Sequence, residues 1–196
     1  MRPIITLGVS ACLLGQAVRY DGAHQAHAYV LSRLSRRFKL KPICPEVEVG
    51  LGVPRPPIRL VGPLHYPEAQ GKYDPSINPT QALRALGKQV AVTWLEVCGF
   101  VVKSRSPSCG LRSTKVLVGQ QEIRAGTGLF TEQLCRNTRI PVIEETDLDD
   151  VARRRAFIAA VFQYFRTQRN PKLTGRESSP RLASLGFCHE RCAALE

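Results

Sequence analysis

What most limits the fold of this chain is a regular exchange of short apolar runs with segments of helical period. Pro3 to Val9 is an apolar, β-branched run ending in the small residues Ser10 and Ala11, the pattern of a buried strand entering a loop. From Ala26 to Phe38 the apolar positions Tyr29, Val30, Leu34 and Phe38 recur at helical spacing. Lys39 to Ile43 reads as a second strand, stopped by Cys44-Pro45, because proline cannot donate to a ladder. Asn78 as N-cap and Pro79 at the first helical position open a helix that carries Leu83, Leu86, Val90, Trp94 and Val97 on one stripe and stops at Gly99. Phe100 to Val102 follows as a third strand. Gly126-Thr127-Gly128 introduces a short helix through Leu134, and Pro141 to Ile143 makes a fourth strand. Asp147 and Asp150 then start a helix whose residues Leu148, Val151, Ile158, Val161, Phe162 and Phe165 share a face. Strand and helix in alternation predict an α/β fold: a three-layer, mostly parallel, Rossmann-like sheet.

Two stretches break the alternation. Residues 50 to 80 hold seven of the fourteen prolines and read as an irregular loop with one extended piece at Ile58 to Val61. Beyond Thr167 the pattern dissolves into Pro, Gly, Ser and Arg, so the expected division is a domain over 1–168 and a basic, flexible tail over 169–196. No apolar run approaches the roughly eighteen residues of a membrane span. The apolar stretch at the N-terminus is too short for a signal h-region, so a cytoplasmic location is expected.

Twenty-eight Lys and Arg against sixteen Asp and Glu give a formal charge of +12. That surface is either simply solvated or suited to an anionic partner such as a nucleic acid. Arg33, Arg36, Arg37, Lys39 and Lys41 follow one another with no acid between them, and Lys103, Arg105, Arg112 and Lys115 surround a cysteine loop.

Seven cysteines, an odd number in a chain without signs of export, argue against a disulfide framework and for metal or thiol chemistry. Only Cys188 and Cys192 are close in sequence, so a metal site must be assembled from distant segments. Cys12, Cys44 and Cys109 each fall at the carboxyl end of a different expected strand, where open α/β sheets bind ligands. They are either small buried hydrophobes or a three-thiolate set that suits a [4Fe-4S] cluster with one iron left open. Glu46 comes two residues after Cys44 and is either a general acid or base, or a carboxylate at a helix N-terminus. Ser104, Ser106 and Ser108 put hydroxyls beside Cys109 or serve as ordinary turn residues. Arg19, Tyr20 and Asp21 bind an anion or a planar ring, or form an ion pair within a turn. Arg55 sits in a rigid Pro54-Arg55-Pro56-Pro57 segment that could aim it at a ligand.

The blocks Ser10-Ala11-Cys12-Leu13-Leu14-Gly15, Val18-Arg19-Tyr20-Asp21-Gly22, Cys44-Pro45-Glu46-Val47, Gly50 to Pro57 and Lys103-Ser104-Arg105-Ser106-Pro107-Ser108-Cys109-Gly110 together resemble the thiouracil desulfidase family. The resemblance runs from about residue 3 to 145. Asp147 to Phe165 is similar to the helix that follows this domain in longer, fused members acting on 4-thiouridine in tRNA. It implies that Cys12, Cys44 and Cys109 ligate a [4Fe-4S] cluster whose unique iron takes the substrate sulfur. It further implies that Glu46 is the catalytic acid or base, that Ser106 is the foremost of the loop serines in holding the substrate, and that Ser104, Ser108, Arg19, Tyr20 and Arg55 line the binding site. The implied reaction converts a thiolated pyrimidine (2- or 4-thiouracil, a thiouridine nucleotide or 4-thiouridine in tRNA) to its oxo form with release of sulfide and no net electron transfer. The expected partner is accordingly a thiolated base or nucleotide, tRNA included, and no membrane. A second reading from a different class is a non-catalytic iron-sulfur or zinc protein that binds RNA through its basic face and senses redox state.

Overall fold

The computed structural model describes residues 4–169. The expected tail beyond that point, with Cys188 and Cys192, lies outside the described residues.

Four strands form a parallel sheet: β1 (Thr6–Ser10), β2 (Lys39–Ile43), β5 (Val97–Val102) and β8 (Val142–Glu144), in the order β2-β1-β5-β8. β1 and β5 lie side by side in the interior, and every residue of both is buried, as continuous apolar runs in a two-sided sheet require. β2 is an edge strand, which is why Pro42 is tolerated in it. The chain winds outward from β1 to β2 on one side and from β5 to β8 on the other, so the order reverses between β1 and β5.

One face of this sheet packs Val9, Val30, Leu34, Phe38, Phe157 and Val161, bringing in helix α4 (Val151–Arg169) and the turn Val30–Leu34. Asp150 starts α4 by accepting the Ala152 and Arg153 amides at 2.7 and 3.0 Å. The other face buries Val90, Phe100, Phe130 and Leu134 beneath α2 (Thr80–Thr93) and α3 (Leu129–Asn137). The expected three-layer α/β arrangement is therefore present.

A second, mixed sheet was not anticipated. Its order is β4-β3-β6-β7, from β3 (Ile58–Val61), β4 (Glu68–Gly71), β6 (Thr114–Val118) and β7 (Gln121–Gly126). Ile58, Leu60, Ala69 and Val116 of this sheet bury against Leu83 and Leu129, so it is fastened to α2 and α3.

Two further expectations are corrected. Helical structure within 26–38 is confined to residues 28–34, with Val30–Leu34 in π form: the Ser35 amide reaches back to Val30 O at 3.1 Å while its hydroxyl donates to Leu31 O, competing with the α ladder. Helix α2 ends at Thr93 and β5 begins at Val97, so Gly99 is a strand residue and not a helix stop. A Cβ at Gly99 would stand 2.7 Å from Val161 Cγ2, and its absence lets α4 lie close on the sheet. Among the described cysteines, Cys12, Cys44 and Cys109 are free thiols and Cys135 is disulfide-bonded. Among the described residues no helix is long and apolar enough to cross a membrane.

Candidate active site

The carboxyl ends of β2, β1 and β5, three neighbours in the sheet, open onto one cavity of about 320 Å³. Its position beside the β1/β5 reversal is where an open parallel sheet leaves a crevice between diverging loops. Cys12 sits in the 3-10 turn Ala11–Leu14 directly after β1. Cys44 follows β2 and precedes helix α1 (Pro45–Glu48), whose first turn carries Glu46. Cys109 closes the loop that leaves β5. Cys12, Cys44, Cys109, Glu46, Ser104, Ser106, Ser108, Arg19, Tyr20 and Arg55, all singled out from the sequence, line this one cavity.

Glu46 is the centre of its polar wiring. One carboxylate oxygen accepts the Ser108 hydroxyl at 2.7 Å and the other accepts Arg55 Nε at 2.9 Å. Arg55 is itself buried and donates to Val18 O at 3.0 Å and Gly52 O at 2.8 Å, with Cys44 Sγ 4.0 Å from its other terminal nitrogen. Its guanidinium thus braces Glu46 and the two loops beside it. Ser106 Oγ lies 3.0 Å from Ser108 Oγ and accepts the Cys109 amide at 3.0 Å, an arrangement that folds the serine loop around the third thiol. At the mouth, Arg19 bonds Asp21 and donates to Gln25 Oε1 at 2.8 Å, with its guanidinium 5.5 Å from the centre of the half-exposed Tyr20 ring.

The serine loop is held from both sides. Glu145, just past β8, accepts the Ser104 amide at 2.6 Å and hydroxyl at 2.8 Å and pairs with Lys103. Glu144 accepts the Leu111 amide at 2.6 Å and the Ser113 hydroxyl. The otherwise unpaired amides at the start of α3 find their partners here: Leu129, Phe130 and Thr131 donate to the carbonyls of Pro107 and Ser108 at 3.1 to 3.3 Å. Gly128 makes that contact possible, since a Cβ would sit 2.4 Å from the Ser108 carbonyl carbon. Lys103 and Glu145 were not among the expected site residues. Lys103 had a signal, because it is a cation directly after an all-apolar strand. Glu145 had none, being 42 positions away and joined to the loop only by the β5–β8 pairing.

Burial dominates the thiols. It pushes Cys12 up to about 11, with Cys44 adding to the rise while Lys103 and Arg19 oppose it. Cys109 is pushed up to about 12, again first by burial, and the Cys44 thiol is raised for the same reason. Among the described residues no set of three or more His, Cys, Asp or Glu is arranged to hold a single metal ion. The lining nevertheless offers three soft sulfur donors with neither a fourth cysteine nor a histidine, a donor set for a multinuclear iron-sulfur group whose ligands need not converge on one point.

Among known proteins, a family model and a solved structure point to the same chemistry. The 2-thiouracil desulfurase family model matches residues 7–147. A relative from Bacillus subtilis (strain 168), named Uncharacterized protein YbbK, is 27% identical over 158 residues, which cover 73% of this chain and 97% of that protein. The solved structure of the [4Fe-4S]-dependent thiouracil desulfidase TudS is similar with a TM-score of 0.60 at 30% identity, covering 76% of this chain and 95% of its own.

Proposed function

The chain belongs to the 2-thiouracil desulfurase family, and from that membership we propose that it is an enzyme that removes sulfur from a thiolated pyrimidine with a [4Fe-4S] cluster held by Cys12, Cys44 and Cys109. The observation that carries this reading is the meeting of three free thiols from three adjacent strand ends with Glu46 in one cavity. The similarity to TudS, described as [4Fe-4S]-dependent, supports the same cofactor here. Bound to three thiolates, such a cluster supplies an open iron that acts as a Lewis acid toward a thiocarbonyl sulfur.

The chain's own groups do the rest. Tyr20 and Arg19 at the mouth receive the planar ring and any anionic group attached to it. Ser106, hydrogen-bonded within the loop, orients the base. Glu46 takes a proton from the water that adds to the thiocarbonyl carbon and returns it as the C–S bond breaks. Arg55 and Ser108 hold that carboxylate in place through both of its oxygens. The balance is C=S plus water to C=O plus hydrogen sulfide, so the reaction is non-redox. The charge of +12 favours a thiouridine nucleotide or 4-thiouridine in tRNA beside free 2- or 4-thiouracil, because phosphate neutralisation dominates such binding.

Anaerobic reconstitution followed by incubation with 2-thiouracil, 4-thiouracil, thiouridine monophosphate and thiolated tRNA tests the reading. Loss of thiocarbonyl absorbance with stoichiometric sulfide is expected for at least one of them, and their relative rates rank the substrate classes. Iron-loaded protein that leaves all four intact refutes the proposed activity.

A further inference from the structure

β5 is apolar and buried over its whole length, yet the residue that follows it, Lys103, is a lysine whose side chain is only 13% exposed. Its partner Glu145 is 6% exposed. Burying such a pair is costly compared with apolar residues of similar size, so its presence calls for a reason beyond stability. The pair is also oriented. Lys103 is on the cavity wall with Cys12, Cys44 and Cys109, whereas Glu145 is behind that wall and lines none of it. The ammonium donates to Ser104 O at 3.2 Å, to Ser104 Oγ at 3.0 Å and to the Glu145 carboxylate, and these three bonds fix its place. The Lys103 amide donates to Ser10 Oγ at 2.9 Å, which ties the ends of β1 and β5 together.

We propose that Lys103 and Glu145 are positioning residues that form a fixed dipole, its positive end aimed at the three-cysteine set, and that this dipole sets the electrostatic potential felt by the bound cluster while anchoring Ser104. The inference rests on the proposed cluster at Cys12, Cys44 and Cys109. Each cysteine gives up a proton on ligation, so loading brings negative charge into a buried cavity where a near cation offsets it.

The deciding measurement is the reduction potential of the reconstituted cluster, titrated anaerobically with dithionite and followed by electron paramagnetic resonance. Net charge near a cluster is one of the determinants of its potential. Lys103→Met is expected to shift the midpoint to more negative values, Glu145→Gln to more positive values, and Lys103→Arg to keep the wild-type midpoint. Opposite signs are a signature that loosened packing does not produce, because disruption would move both single variants alike. Since either single variant leaves one charge buried alone, the charge-neutral double variant Lys103→Met with Glu145→Gln provides a second reading: it is expected to load iron and to titrate slightly below wild type. Midpoints that move together or not at all, or a double variant above wild type, overturn the proposal. Wild-type protein that takes up no iron overturns the cluster reading itself.

Discussion

The two sheets of this protein divide the work unequally. The parallel sheet is buried through its central strands and supplies, from its carboxyl ends and the loops that follow them, every residue of the cavity but Arg55, which comes from the segment between α1 and β3. The mixed sheet supplies none of that lining, and five of the six residues of its outer strand β7 are exposed. Its contact with the site is indirect: Thr114 at the start of β6 donates to Ser106 O at 2.9 Å, and Leu129, packed in the core beneath this sheet, opens the helix that receives the serine loop. Chemistry thus concentrates where parallel strands end together and loops must diverge, and the second sheet acts as a buttress.

The largest effect that separates the two regions is expected at Cys109. Cys109→Ala removes one of the three thiols, and the protein should purify without the brown colour and iron content of the reconstituted wild type. Its desulfidase rate should fall by at least about a thousandfold, the equivalent of the several kcal/mol a Lewis-acid metal contributes. Thermal unfolding of the apo-protein should barely change, since a small apolar side chain replaces a small buried thiol. Iron bound at wild-type stoichiometry would remove Cys109 from the ligand set.

Next in size is Glu46→Gln. The amide keeps the shape but cannot take up a proton, so cluster content should match wild type while the rate drops by about 10²–10⁴-fold. A variant that loses iron along with rate would make Glu46 a structural brace of α1 and not a proton carrier. The buttress should respond in the opposite way. Leu60 in β3 is 1% exposed, and Leu60→Ala is expected to lower unfolding stability by about 2–5 kcal/mol through the cavity it leaves. At a temperature where the variant remains folded its kcat should stay within about twofold of wild type, a difference of roughly 0.4 kcal/mol. A large fall in kcat would show that the mixed sheet takes part in the site beyond support.

The two regions also differed in how far their residues announced them. Short apolar, β-branched runs made β1 and β8 legible and the stop at Cys44-Pro45 marked β2, together with the three strand-end cysteines and Glu46 beside the second of them. Two strands of the mixed sheet were silent for a physical reason: Glu68–Gly71 and Gln121–Gly126 are short and polar, the latter exposed at five of its six residues, so they carry no apolar pattern. Ile58–Val61 was legible as an extended piece inside the proline-rich stretch but not as part of a sheet, and Thr114–Val118 went unread despite its apolar Val116, Leu117 and Val118. Gly99 misled because a glycine after a helical stripe reads as a stop, while its actual task is to admit α4 against the sheet. The bracing of the serine loop by Glu144 and Glu145 had no local signal, since contacts across some thirty to forty positions arise only when β5 and β8 pair.

The smallest expected effect is an alkaline one confined to the site. Burial pushes Cys12 up to about 11 and Cys109 up to about 12, above the ordinary thiol value of 9.0 that the unfolded chain would show. A group whose folded value is raised stays protonated in the native state after its unfolded counterpart has ionised. Its contribution is therefore complete below about pH 9 and is lost as pH rises through the folded values. Each of these thiols should make the apo-protein less stable by on the order of 1–2 kcal/mol between about pH 9 and 10.5. The double variant Cys12→Ala with Cys109→Ala should flatten that slope, whereas Leu60→Ala should lower the whole curve and leave the slope in place. Equal slopes in wild type and the cysteine variant would mean that the thiols are not held protonated by the fold, and the contrast between a desolvated site and a merely supporting sheet would lose its electrostatic half.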